Sequence, residues 1–172
     1  MKKLWTICLI LTFLTSILRY LTDKREEQEG FPNLRQSAEQ GNADAQFNLG
    51  GKYYLGEDLP EDKAKAIKWY LKAAKQGHAD AQCNLGFMYV SSEGAKSVKW
   101  FRKAAEQGDA MAQHNLGVSY ATGNGVTQSD VNAYKWWNLA AKQGYEDAIH
   151  NLGTLAARMS KEDIEQAKNI SK

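Results

Sequence analysis

AKQGHADAQCNLGFMY, residues 74–89, is the stretch from which the fold of this chain can be read. It comes back three times with few changes. AEQGNADAQFNLGGKY begins at Ala38, AEQGDAMAQHNLGVSY at Ala105 and AKQGYEDAIHNLG at Ala141, so the starts lie 36, 31 and 36 residues apart. Self-similarity at a period of this size marks a solenoid of stacked supersecondary units. The expected fold class is all-α, an α/α solenoid of helical hairpins occupying residues 31–172, with units at about 38–73, 74–104, 105–140 and 141–172.

Each unit encodes two helices. In the first, Ala45, Leu49 and Tyr53 stand four apart and share one face, as do Ala81, Leu85 and Tyr89, then Ala112, Leu116 and Tyr120. A glycine follows each leucine (Gly50, Gly86, Gly117, Gly153). It costs ~1 kcal/mol of helix propensity relative to alanine, so another helix is expected to approach too closely there for a side chain. The second helix is expected over Lys63–Gly77, with Ala66, Trp69, Tyr70, Ala73 and Ala74 on its apolar stripe. Trp100, Phe101, Trp136 and Trp137 occupy the matching positions, and aromatic rings at helical spacing are read as core. Gly41, Gly77, Gly108 and Gly144 read as helix C-terminal caps. The second unit is five residues short between its tyrosine and tryptophan, so an irregular connection is expected at VSSEGAK.

The pattern A-[EK]-Q-G-x-A-x-A-Q-x-N-L-G-x-x-Y, joined to Y-x-x-G-x-G-V and K-W-[YFW]-x-x-A-A, resembles the Sel-1-like repeat, a relative of the tetratricopeptide repeat. The resemblance covers about Phe31–Lys172. Even RMSKEDIEQAKNIS at the end is similar to the family's closing helix, with Ser160 as N-cap. It implies a protein-binding module, and its runner-up implication is an immunity protein that neutralises a secreted antibacterial toxin. The paired cysteines of the cysteine-rich subgroup are absent, which weakens any transfer of that subgroup's penicillin-binding activity.

Composition narrows the classes. From Phe31 onward 17 Lys and Arg face 16 Asp and Glu, which argues against a dedicated nucleic-acid binder. Cys8 and Cys83 are the only cysteines, too few for a disulfide framework in the repeats. Lys2 and Lys3 precede an apolar run, Leu4–Leu18, so residues 1–21 read as a signal or membrane anchor and charged residues 22–30 as a linker. Fifteen helical residues reach only ~23 Å, and snorkelling of Arg19 extends the span. The expected location is the bacterial inner membrane or the periplasm, with membrane contact through this segment. No HExxH or GxSxG occurs, and Ser119 falls within a helix rather than on a strand-to-helix elbow. Neither an enzyme nor a cofactor is expected.

A binding face is expected on the first helices, the usual binding surface of such arrays. Positions two before and two after each leucine point about 160° away from it. They are Phe47 and Gly51, Cys83 and Phe87, His114 and Val118, His150 and Thr154. Asn48, Asn84, Asn115 and Asn151 each precede a leucine and either hold a partner's backbone or satisfy a neighbouring helix. His114 and His150 sit in equivalent positions, but helices ~8–10 Å apart separate them too far for a shared metal ion, so no metal is expected. Lysines at three- and four-residue spacing line the second helices, either as a solvated outer face or as a surface steered to anionic membrane.

Overall fold

A computed structural model describes residues 32–57 and 59–170, with 14, 15, 17 and 18. The anchor and linker read at residues 1–30 otherwise lie outside the described residues. Among the described residues there is no strand, and no helix is long and apolar enough to cross a membrane. The helices after the leader are α1 (Pro32–Glu39), α2 (Ala43–Leu55), α3 (Lys63–Lys75), α4 (Ala79–Tyr89), α5 (Gly94–Glu106), α6 (Ala110–Thr122), α7 (Asp130–Lys142), α8 (Glu146–Ala156) and α9 (Lys161–Asn169). Hairpins α2–α3, α4–α5 and α6–α7 are the three full units; α1 precedes them and α8–α9 closes them. Each helix packs on its chain neighbours, except that α9 folds back onto α7.

The helix ends follow from local sequence. Asn42, Asp62, His78, Asp109, Ser129 and Ser160 each accept a bond from a first-turn backbone N–H, satisfying one orphan donor. Gly41, Gly77, Gly108 and Gly144 stop the second helices at φ of 101°, 97°, 95° and 82°, a region closed to most side chains. The short connection in unit two is irregular, as its length requires. Glu93, before α5, makes no side-chain cap bond. Gly94 instead lies against the Asn124–Gly125 turn of the next unit, where a Cβ would come within 2.4 Å of Asn124 Oδ1. Asn124 Nδ2 donates to the Val90 carbonyl at 3.3 Å.

The predicted stripes form the core, except that Trp69 and Trp100, read as core from their spacing, are only partly buried against it. Leu49, Tyr53, Tyr70 and Leu85 anchor one cluster, and Phe101, Leu116, Trp137 and Leu155 a second. The repeat glycines act as the expected notches. A Cβ on Gly50 would meet the Tyr70 ring at 2.8 Å, on Gly86 the Phe101 ring at 2.4 Å, and on Gly117 the Trp137 ring at 2.5 Å. Gly153 differs, with nothing within 4 Å, because α9 brings no aromatic ring over it. Tyr89 stays half-buried where Tyr53 and Tyr120 are buried. Its shortened turn lacks an apolar residue equivalent to Leu59 or Val126.

A polar ladder joins the units and was not anticipated from the sequence. Gln46, Gln82 and Gln113 are buried, and each donates to the carbonyl eight residues back, that of Ala38, Ala74 or Ala105. Each then accepts from a glutamine one unit ahead: Gln76 at 2.8 Å, Gln107 at 2.8 Å and Gln143 at 2.9 Å. These carbonyls close the preceding second helix, where intrahelical donors run out. The ladder ends at Ile149, which replaces the glutamine in the fourth copy and is exposed.

Candidate functional site

The two halves of the expected open face differ. Two residues before each of the first three repeat leucines, the next unit covers the side chain. Phe47 stacks on His78 with ring centroids 4.6 Å apart and tilts against Tyr70 at 5.7 Å. Cys83 is only 4% exposed and lies beside Asp109. His114 stacks between Tyr145 at 5.1 Å and Trp137 at 6.4 Å. His78, Asp109 and Tyr145 are the N-cap residues of the following first helices, so the end of each helix closes over its predecessor. The expectation that Phe47, Cys83 and His114 lie open is therefore corrected. His150, with no later first helix among the described residues, is exposed.

Two residues after the leucine the face opens more. Phe87 is 41% exposed and touches Phe101 edge-on, with centroids 5.2 Å apart. Val118 is half-buried against the second core cluster, and Thr154 is exposed. Tyr54 and Val90 extend the exposed apolar surface. The asparagines take different partners. Asn48 is exposed. Asn84 hydrogen-bonds the Tyr70 phenol, Asn115 Nδ2 donates to the Met111 carbonyl at 2.8 Å, and Asn151 Nδ2 lies 3.1 Å from His114 Nε2.

Burial sets the electrostatics. Desolvation holds His114 below the usual histidine range, against the opposing pull of Asp147. A neutral ring lets Nε2 accept from the Asn151 amide. Burial also pushes the Cys83 thiol up, reinforced by Asp109, so it is an inert apolar filler. The Tyr70 hydroxyl is raised, mainly by burial, with Asn84 opposing.

Only part of the expected set converges. Asn84 and Phe87 meet Tyr54, Tyr70 and Met88 around a pocket of about 220 Å³ between the first and second units. His114 and Asn151 pair at a separate junction between the third and fourth units. Tyr70 and Met88 were not assigned to the site from sequence. The available signal was the hydroxyl of Tyr70, which stands where the later units carry Phe101 and Trp137. Among the described residues no three His, Cys, Asp or Glu side chains gather as metal ligands would. The Ser119 hydroxyl is buried and donates to the Asn115 carbonyl at 3.0 Å. A pocket lined by one amide, two phenols and two apolar side chains can seat an aromatic or aliphatic side chain and orient a neighbouring polar group.

Comparison with known proteins agrees with this architecture. A family model described as Sel1 repeat matches residues 43–78, 79–109 and 110–145, each match running from a first helix to the start of the next unit. The crystal structure of a Sel1 repeat protein from Oxalobacter formigenes superposes with a TM-score of 0.67 at 35% identity, covering 72% of this chain and 97% of that one. A component of an ERAD-associated E3 ubiquitin-protein ligase, HRD3A of Arabidopsis thaliana, is 45% identical over 49 residues. That match takes in 28% of this chain and only 7% of the plant protein. Sel1 repeats are protein–protein interaction modules and are generally non-catalytic.

Proposed function

This chain belongs to the Sel1 repeat family, and from that premise we propose that it is an adaptor holding a protein partner at the bacterial inner membrane or in the periplasm. The partner's apolar side chain enters the pocket lined by Tyr54, Tyr70, Asn84, Phe87 and Met88. One observation carries the reading: Tyr54 and Phe87, at 44% and 41% exposure, flank a cavity of about 220 Å³ on the first-helix face. Exposed aromatic rings beside a pocket are the residues that dominate protein interfaces. Asn48, Val118 and His150 extend the proposed contact surface along the array. The apolar run Leu4–Leu18 in the sequence supports the membrane or periplasmic setting.

The test is a crosslinked pull-down from intact cells, comparing wild type with Phe87→Asp. A partner captured by wild type and lost by the variant supports the pocket as the docking site. Its identity separates a resident adaptor complex from the immunity reading, under which it would be a toxin. Equal capture by both proteins overturns the pocket assignment. Phe87 is only partly covered, so the substitution is expected to forfeit about the value of its aromatic pair, ~0.5–1.5 kcal/mol. A melting curve guards against loss by unfolding.

A further inference from the structure

The near-balance of charge hides a strong separation between the two layers of helices. Helix α3 carries Lys63, Lys65, Lys68, Lys72 and Lys75 and no acid. Helix α5 carries Lys96, Lys99, Arg102 and Lys103 against Glu106. The first helices carry few charges and no excess of bases: Asp44 with Lys52 in α2, Asp80 alone in α4, none in α6, and Glu146 and Asp147 in α8. The repeat puts lysines in register from unit to unit. Lys68 and Lys99 each precede the repeat tryptophan, Trp69 or Trp100, and Lys72 and Lys103 each follow it by three residues. All four lysines are exposed. Among the described residues none of them pairs with a carboxylate, whereas Lys63, Lys65 and Lys96 do.

Two of the four lie over half-buried indoles, Lys72 Nζ at 4.0 Å from the Trp69 ring centre and Lys103 Nζ at 5.1 Å from that of Trp100. An ammonium over a half-buried indole combines attraction for anions with an amphipathic ring that suits a membrane interface. We infer that the outer face of α3 and α5 is a docking surface for an anionic lipid bilayer, with lipid headgroups meeting Lys68, Lys72, Lys99 and Lys103. Lysine, a point charge without arginine's planar fork, suits a diffuse field of headgroups better than a bidentate partner. The lysines stand on second helices, whereas the exposed pocket residues Tyr54 and Phe87 stand on first helices, so the array lies on the bilayer with its first helices still open to a protein. Nine residues, Thr22–Gly30, separate the leader of residues 1–21 from the array, a spacer that reaches roughly 30 Å when extended. A membrane-partitioning segment and the lysine face can therefore meet the same leaflet.

The experiment is amine-reactive footprinting of the full chain, reconstituted in vesicles and read lysine by lysine by mass spectrometry. One set of vesicles is pure phosphatidylcholine and the other contains phosphatidylglycerol. Each lysine close to an anionic surface adds about five-fold to surface affinity, several-hundred-fold for four together. Lys68, Lys72, Lys99 and Lys103 should thus label more slowly in the anionic vesicles, while Lys52 and Lys161 label equally in both. In 1 M salt, where the screening length falls to about 3 Å, the protection should disappear. In a variant with all four changed to Gln, folded by circular dichroism, protection of the flanking Lys75 should also be lost. Equal labelling in the two vesicle types overturns the proposal. Protection by added single-stranded RNA but not by anionic vesicles also overturns it and makes the face a nucleic-acid surface. Phe87→Asp should leave the footprint unchanged, so failure of the pocket and failure of the lysine face are distinguishable.

Discussion

Gly86→Ala and Gly153→Ala are the same substitution at the same repeat position, and the structure predicts opposite signs for them. Both glycines sit inside a first helix just after the repeat leucine, so alanine gains about 0.5–1 kcal/mol of helix stability at either site. At Gly86 the new methyl would lie 2.4, 2.5 and 2.8 Å from Cδ1, Cε1 and Cγ of Phe101. That ring is only 1% exposed, so it cannot swing aside without displacing the core around it. Overpacking of this kind costs ~2–3 kcal/mol, leaving a net loss of about 1–2.5 kcal/mol. At Gly153 the methyl meets nothing within 4 Å and the propensity gain stands alone. Urea unfolding followed by far-ultraviolet circular dichroism measures both. The midpoint should fall for Gly86→Ala and rise for Gly153→Ala. A Gly86→Ala protein as stable as wild type, or two shifts in one direction, would refute the argument that the aromatic ring makes glycine necessary.

Two further outcomes follow from the junctions between units. Gln82→Ala removes the acceptor of Gln107 and leaves the Ala74 carbonyl without its side-chain donor, which should cost ~1–3 kcal/mol by thermal unfolding; a silent substitution would mean that water replaces the ladder freely. His114 makes stability depend on pH. Its folded pKa lies below the ordinary 6.5, so between the two values the unfolded chain holds a proton that the folded chain refuses. Its contribution is complete above about 6.5 and is lost as pH falls through the lowered folded value, where Nε2 can no longer accept from Asn151. His114→Gln should flatten the wild-type decline in urea midpoint between roughly pH 7.5 and 5, and an unchanged slope would assign that decline to other groups.

The elements were legible because each rests on short-range chemistry written several times over. The leucine–glycine pair, the aromatic residue of the second helix and the capping glycine each occur in three or four copies. A contact made once per unit therefore leaves a repeated mark. The glutamine ladder was equally visible as a recurrence, but its meaning depends on which carbonyls at the end of the neighbouring helix can accept a second bond beside that of the capping glycine. The candidate face was half legible for a related reason. Helical geometry says correctly which positions point away from a helix's own leucine, and Phe87 is exposed as that argument requires. It says nothing about the next helix, whose N-terminal residue closes over the position two before the leucine. The three covering pairs, Phe47 with His78, Cys83 with Asp109 and His114 with Tyr145, share neither size nor chemistry, so no motif announces them. What is common to them is the backbone path at the capping glycine, which delivers whatever residue follows it onto the preceding helix. Substitution at those positions thus changes the strength and pH response of the joints, whereas the exposed pair Tyr54 and Phe87 stands outside them.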